Sequence, residues 1–157
     1  MTKIKPLWYN VIMNLSDIRE MATQDAVIDG TELGKESIRI PQLHNKYLIL
    51  LQDEKFSLQR LNVEYFHMKR LKWEYYTGKM DKETLDDLGW EQFQLNILKK
   101  DLDLYLKSDT DLSKLNDKIS YQESKLTFLE SVLKELNSRN WVIRNAIEWN
   151  KFTQGGF

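Results

Sequence analysis

The chain has 157 residues, no cysteine and a formal net charge of −1, with 41% hydrophobic and 30% charged residues. A chain of this length forms one ordinary domain and is short for an enzyme with a separate lid or cofactor domain. It has no apolar run near the length of a membrane span and no signal-peptide pattern, so we expect a soluble cytoplasmic protein with no membrane partner. With only two prolines and six glycines, the composition favours an all-α fold over a strand-rich one.

The first segment of the chain is predicted to lie outside the main domain. Residues 1–14 contain an apolar cluster that is too short for a core of its own, so we interpret them as an N-terminal extension that docks on the rest. Residues 15–157 are predicted to form a single helical domain. Ser16 or Asp17 is expected to cap a short helix that runs through Thr23.

A long helix is predicted over about residues 41–76, packed with C-terminal helices in a bundle. Pro41 lacks an amide donor and disfavours helix at Ile40, so we expect the helix to begin there. Gly78 is free to adopt the left-handed conformation of a helix cap and is expected to close it. The predicted inward positions are Leu43, Tyr47, Leu50, Leu58, Leu61, Tyr65, Met68 and Tyr75, with Glu54 and Lys72 as polar interruptions. A helix of roughly 50 Å is longer than a compact domain needs, which indicates packing between subunits.

Basic and aromatic residues alternate densely in residues 60–79, at the end of this helix. Residues 55–79 carry six Lys or Arg against two Glu, a local net charge of +4. Cations of this kind can contact phosphates, and aromatic rings can stack on unpaired bases. The candidate DNA-binding residues are Arg60, Lys69, Arg70, Lys72, Tyr76 and Lys79. The competing interpretation is that the rings are core and the cations are a solvated face.

Helical geometry divides these candidates between two faces. Lys69, Lys72, Tyr76 and Lys79 share one face, whereas Arg60, His67 and Arg70 lie on another. A strand would therefore have to cross the end of the helix rather than follow it. Tyr75 is expected to face inward and Tyr76 outward, towards a base.

An acidic block follows, because residues 80–111 carry nine acidic and four basic residues. The block could bind a basic partner or form a solvated face. Asp81 is expected to open a short helix, residues 90–106 to form another, and Asp111 to cap the helix after that.

The final helix is predicted to carry the oligomerisation segment, residues 112–152. Its apolar seam steps by three and four residues with one polar member: Leu112, Leu115, Ile119, Gln122, Leu126, Leu129, Leu133 and Leu136. Such a seam is typical of a coiled coil or bundle, and a lone polar residue in it can determine register or oligomer state. The same pattern equally fits a seam inside one chain. Residues 137–140 are expected to interrupt the pattern before a further apolar face. The predicted oligomerisation residues are Leu126, Leu129, Leu133, Leu136, Trp141, Ile143 and Ile147.

Motifs for catalysis are absent from the sequence. There is no Gly-rich phosphate loop, serine elbow or cysteine nucleophile. The two histidines, His44 and His67, are expected on one helix roughly 35 Å apart, where they cannot share a metal or a proton. We therefore expect no enzymatic activity, no cofactor and no metal site.

Three patches of the sequence resemble the UvsY family of recombination mediators from T-even-type phages. They are AVIDGTEL at residues 26–33, KRLKWEYYTGK at residues 69–79, and the tail from LKSDTDL at residue 106 through NSRNWVIRNAIEWNKFTQGG. The resemblance spans about residues 15–156 and rests on the order and spacing of the patches. Asn140 and Trp141 stand where the family has a smaller pair.

This resemblance implies a non-enzymatic protein that binds single-stranded DNA and assembles into a ring of six or seven subunits through its C-terminal region. It also implies that the ring loads a RecA-type recombinase in place of the single-strand DNA-binding protein. The family's DNA-contacting basic pair falls on Arg70 and Lys72, with Lys and Arg exchanged, which alters bidentate geometry. The alternative is a structural assembly protein whose basic segment packs on the acidic block and binds no DNA.

Overall fold

The computed structural model describes residues 13–155, and the N-terminal extension predicted for residues 1–14 lies almost wholly outside them. The described chain is all-α, as expected, with five helices. They are α1 (Leu15–Ala26), α2 (Leu33–Tyr76), α3 (Lys82–Leu88), α4 (Leu102–Ser108) and α5 (Thr110–Thr153). None of the helices within residues 13–155 has the length and apolarity needed to cross a bilayer.

These helices build two compact units. The first contains the described residues up to Leu51 and those from Thr127 onwards, and the second is Gln52–Leu126. Both long helices, α2 and α5, contribute residues to each unit.

Helix α1 begins with a capping box. The side-chain oxygen of Asn14 accepts from the backbone N–H of Asp17 at 2.9 Å, and the Asp17 carboxylate accepts from the backbone N–H of Asn14. This pair satisfies two backbone donors that a helix start leaves unpaired. The prediction of a cap at Ser16 or Asp17 was therefore wrong, and the helix extends beyond Thr23 to Ala26.

Helix α2 begins at Leu33, eight residues before the predicted start, and contains Pro41. Tertiary contacts stabilise the additional turns: Glu36 pairs with Arg139 at 2.6 Å, and Arg39 with Asp25 at 2.9 Å. The cost of the missing proline donor is thereby offset. The predicted end was confirmed at Tyr76, and the turn that follows is stabilised by bonds from the N–H groups of Gly78 and Lys79 to the carbonyls of Tyr75 and Glu74.

The acidic block is less helical than expected. Asp81 caps α3 by accepting from the backbone N–H of Thr84 at 2.8 Å, as predicted. The prediction of one helix over residues 90–106 was wrong, because the helix in this region begins only at Leu102 and runs to Ser108. Trp90 and Phe93 instead pack their rings against Tyr75, with centroids 5.2 and 5.4 Å away. The packing of these half-buried rings, rather than helix propensity, determines the local conformation.

Helix α5 confirms the predicted seam, whose eight members are all buried. The helix is continuous through residues 137–140, so the predicted interruption there was wrong. The seam continues through Arg139 and Ile143, whereas Trp141 lies on the opposite, exposed side. Asp109, not Asp111, caps the helix, since its carboxylate accepts from the N–H groups of Asp111 and Leu112.

Buried ion pairs accompany the polar residues in the long-helix seams. Glu54 of α2 accepts from Gln122 and from Lys125 of α5, the latter at 3.2 Å. Arg139 donates to Glu36 and to the carbonyls of Asp25, Ala26 and Val27 at the end of α1. Because an unpaired buried charge is costly, these contacts restrict the register of the helices within each unit.

Most of the predicted oligomerisation residues are buried within one chain. Of the predicted oligomerisation residues, Leu126, Leu129, Leu133, Leu136 and Ile143 are buried in the chain's own core, and Ile147 is half-buried. This burial favours a seam inside one chain, and a role of these residues in oligomerisation stays a prediction. The large apolar side chains that α5 leaves exposed near its end are Trp141, Val142, Trp149 and Phe152.

Candidate nucleic-acid interface

One exposed face of α2 in the second unit carries rings and cations together. Positions spaced by three, four and seven residues share a helix face, and here they are Phe56, Arg60, Val63, Phe66, His67 and Arg70. We call these six residues the basic-aromatic surface. It spans about 20 Å of helix, and all six side chains are exposed.

The cations of this surface are available to a ligand. The Arg70 side chain is 65% exposed, and its one described ion pair is a 4.0 Å contact with Glu74. Exposed pairs of this length contribute little stability, so a phosphate can compete for the guanidinium. Arg60 is exposed on the same face, as expected from the helical spacing.

Two further predicted cations lie at the border of the surface, each beside a ring. The ammonium of Lys69 lies 6.0 Å from the ring centroid of Tyr65, and that of Lys79 lies 4.3 Å from the centroid of Trp73. Both lysines are exposed. Such contacts leave most of the ammonium hydrated and free to meet an anion.

Lys72 occupies a different environment from the other candidates. Its ammonium is buried, 2.7 Å from Asp111 and 3.0 Å from Asp109, and it lies 4.2 Å from the ring centroid of Trp90. Burial alone would lower the pKa of Lys72, but hydrogen bonds to the two carboxylates raise it above the usual value. The expectation of Lys72 on an exposed phosphate-binding face is corrected: in the folded chain its charge is already neutralised.

Tyr76 belongs to the same network as Lys72. Its hydroxyl donates to Asp109 at 2.8 Å, and burial together with that bond raises the pKa of Tyr76. Burial alone would raise the pKa of Asp109, but bonds from Leu112, Tyr76 and Lys72 hold it below its ordinary value. Tyr76 also contacts the ring of Phe93 at 5.1 Å, so the expected outward ring is largely engaged in packing.

Tyr75 is half-buried among other rings, consistent with its predicted inward direction. The residues that the sequence interpretation missed are Phe56 and Phe66, each 65% exposed. Their signal was present, since Phe56 and Val63 are seven residues apart opposite the inward seam, and Phe66 follows Val63 by three. Apolar residues at these positions had no core to enter.

Within residues 13–155, the side chains that commonly bind metals do not form a cluster. No group of three or more His, Asp or Glu side chains there could hold a metal ion. The arrangement can supply phosphate contacts from Arg60 and Arg70 and stacking faces from Phe56 and Phe66.

The fold and this surface define an all-α protein that presents arginines and aromatic rings along one long helix. Residues 21–156 match the family described as recombination, repair and ssDNA binding protein UvsY. The chain therefore belongs to the UvsY family.

Comparisons with individual relatives agree with this assignment. The recombination protein UvsY of Enterobacteria phage T4 is 24% identical over 143 residues, covering 91% of this chain and 99% of the relative. Two crystal structures of the bacteriophage T4 recombination mediator protein UvsY, in different lattices, superpose with TM-scores of 0.80 and 0.79 at 23% identity. They cover 89% and 90% of this chain, and 99% and 98% of the T4 chains. At this identity the superposition establishes the common fold.

Proposed function

We propose that the chain binds single-stranded DNA on the basic-aromatic surface and acts as a recombination mediator in the host-cell cytoplasm. The observation that carries the proposal is the exposure of Arg60 and Arg70 beside exposed Phe56 and Phe66 on one helix face. Cations that contact phosphates and rings that stack on bases are the two elements of sequence-tolerant single-strand binding. The family description, which includes single-stranded DNA binding, supports the same ligand.

The proposal extends to assembly. Each surface offers few cations, so several copies in a hexameric or heptameric ring would convert weak contacts into avidity for one strand. The exposed apolar end of α5, with Trp141 and Trp149, supports such self-association, because patches of this kind commonly mark interfaces. The assembled protein would then load a RecA-type recombinase on DNA in place of the single-strand DNA-binding protein, without chemistry or cofactors.

Binding to a fluorescent oligothymidylate, followed by anisotropy over a series of salt concentrations, tests the DNA assignment. In the variant Arg60→Ala/Arg70→Ala we expect weaker binding and a slope of log K against log salt that is shallower by roughly 0.7 per lost phosphate contact. Lys114→Ala/Lys118→Ala removes two exposed charges from α5 and serves as the charge-matched control. Equal losses in both variants would show a general charge effect and contradict the assignment.

A second candidate function is a structural assembly protein that binds no DNA. The pairing of Lys72 and Tyr76 with Asp109 favours it, since the basic segment does contact the acidic block through these residues. However, the network leaves Arg60 and Arg70 exposed. Salt-independent or undetectable binding by the unmodified chain would favour the structural role.

A further inference from the structure

A cavity of about 440 Å³ lies in the second unit beside the end of α2. Its walls include the rings of Trp73, Tyr76 and Phe93, and the segment before α4 contributes Leu98 and Lys99. The volume falls within the range of small-molecule sites. None of the proposed contacts of the basic-aromatic surface uses this space.

The charge of the cavity differs from that of its surroundings. Although residues 80–111 are strongly acidic as a block, the described residues that line the cavity include Lys79 and Lys99 and no carboxylate. Lys79 places its ammonium 4.3 Å from the ring centroid of Trp73. A cation beside aromatic walls fits a ligand with a flat apolar ring and an attached anion.

Several apolar side chains that line the cavity are exposed, so the cavity is open to solvent and to a ligand. Leu95 and Leu98 line it and are 60% and 61% exposed, and Trp73 is 38% exposed. Asn96 adds an amide that can both donate and accept hydrogen bonds, as the edge of a nucleobase requires. A simple phosphate would not require the rings, and an uncharged apolar ligand would not require the lysines.

The cavity is also placed to receive a strand from the basic-aromatic surface. Trp73 follows Arg70 by three residues and is therefore its neighbour on the helix. A strand whose phosphates contact Arg70 would reach Trp73 at the mouth of the cavity.

We propose that this cavity accepts one unstacked nucleobase of a bound single strand, with the adjoining phosphate near Lys79 and Lys99. The base would stack on the aromatic wall and present its polar edge to Asn96. This inference rests on the proposed single-strand binding and adds a base-contacting site to its phosphate contacts.

The test compares a labelled oligothymidylate with an abasic strand of equal length, both at one salt concentration. Stacking in the cavity, added to stacking on Phe56 and Phe66, predicts that the unmodified chain binds the thymidine strand at least roughly tenfold more tightly than the abasic one. Trp73→Ala and Leu98→Glu should each reduce this preference by roughly tenfold, the share of one base, and leave the share of Phe56 and Phe66. Leu104→Glu is the matched control, because Leu104 is 67% exposed in the same unit, lies outside the cavity and receives the same charge.

The outcomes separate this proposal from the proposed function. Equal binding of both strands by the unmodified chain, or an equal effect of Leu98→Glu and Leu104→Glu, overturns the base site while single-strand binding stands. Absence of binding to either strand overturns both. Displacement of the strand by micromolar thymidine monophosphate would assign the cavity to a free nucleotide and overturn the strand contact. Circular dichroism confirms that each variant is folded.

Discussion

Replacing Lys72 tests whether this cation stabilises the fold or contacts DNA. Lys72→Ala leaves the carboxylate of Asp109, whose side chain is 3% exposed, without its ammonium partner. Removing one member of a buried ion pair costs roughly 3 to 5 kcal/mol. Because Asp109 keeps its bonds from Tyr76 and from two backbone N–H groups, we expect the lower end, about 3 kcal/mol.

The matched variant is Arg70→Ala, two residues away. Its contact with Glu74 is long and exposed, so we expect a loss of less than about 0.5 kcal/mol. Urea unfolding monitored by circular dichroism gives both free energies, and anisotropy with a labelled single strand gives both affinities. Lys72→Ala should mainly lower the free energy of unfolding, and Arg70→Ala should mainly lower the affinity for DNA. A stable Lys72→Ala variant whose salt slope falls as much as that of Arg70→Ala would refute the assignment.

Asp109, Arg139 and the exposed end of α5 each give a further expected outcome. The lowered pKa of Asp109 contributes stability that is present above the unfolded pKa of about 3.9 and is lost as pH falls through the lower folded value, so thermal melting below pH 4 should be less pH-dependent in Asp109→Asn. Arg139→Met should destabilise the chain by roughly 3 kcal/mol in urea unfolding, because it leaves Glu36 and three carbonyls at the end of α1 without their donor, and an unchanged midpoint would contradict this role. Trp141→Arg/Trp149→Arg should reduce particle size in sedimentation with unchanged helicity, whereas a full-size assembly would remove the exposed end of α5 as the contact between copies.

Periodicity was the most informative feature of the sequence. The α5 seam from Leu112 to Leu136 was predicted residue by residue, because apolar side chains at steps of three and four have one favourable face to bury. The end of α2 was likewise predicted, since Gly78 adopts a positive φ of 66° that suits a helix cap.

The errors arose where contacts distant in sequence override local preference. Pro41 predicted a helix start, but the ion pairs of Glu36 and Arg39 extend the helix in front of it. Propensity favoured a helix after Trp90, but the rings at the end of α2 bind that segment in an irregular conformation.

The candidate site was predictable only in part for the same reason. Arg60 and Arg70 could be placed on one exposed face from helical spacing alone. The partners of Lys72 could not, because Asp109 and Asp111 follow it by 37 and 39 residues, and only the fold brings them together.

The most direct test of single-strand binding on α2 is photocrosslinking to a strand that carries 5-iodouracil, with adducts identified by mass spectrometry. Aromatic side chains that stack on the base are favoured acceptors, so we expect adducts at Phe56, Phe66 and Trp73. The adducts should decrease in the Arg60→Ala/Arg70→Ala variant and remain in Lys114→Ala/Lys118→Ala. Adducts confined to α5, with none in residues 56–79, would contradict the account.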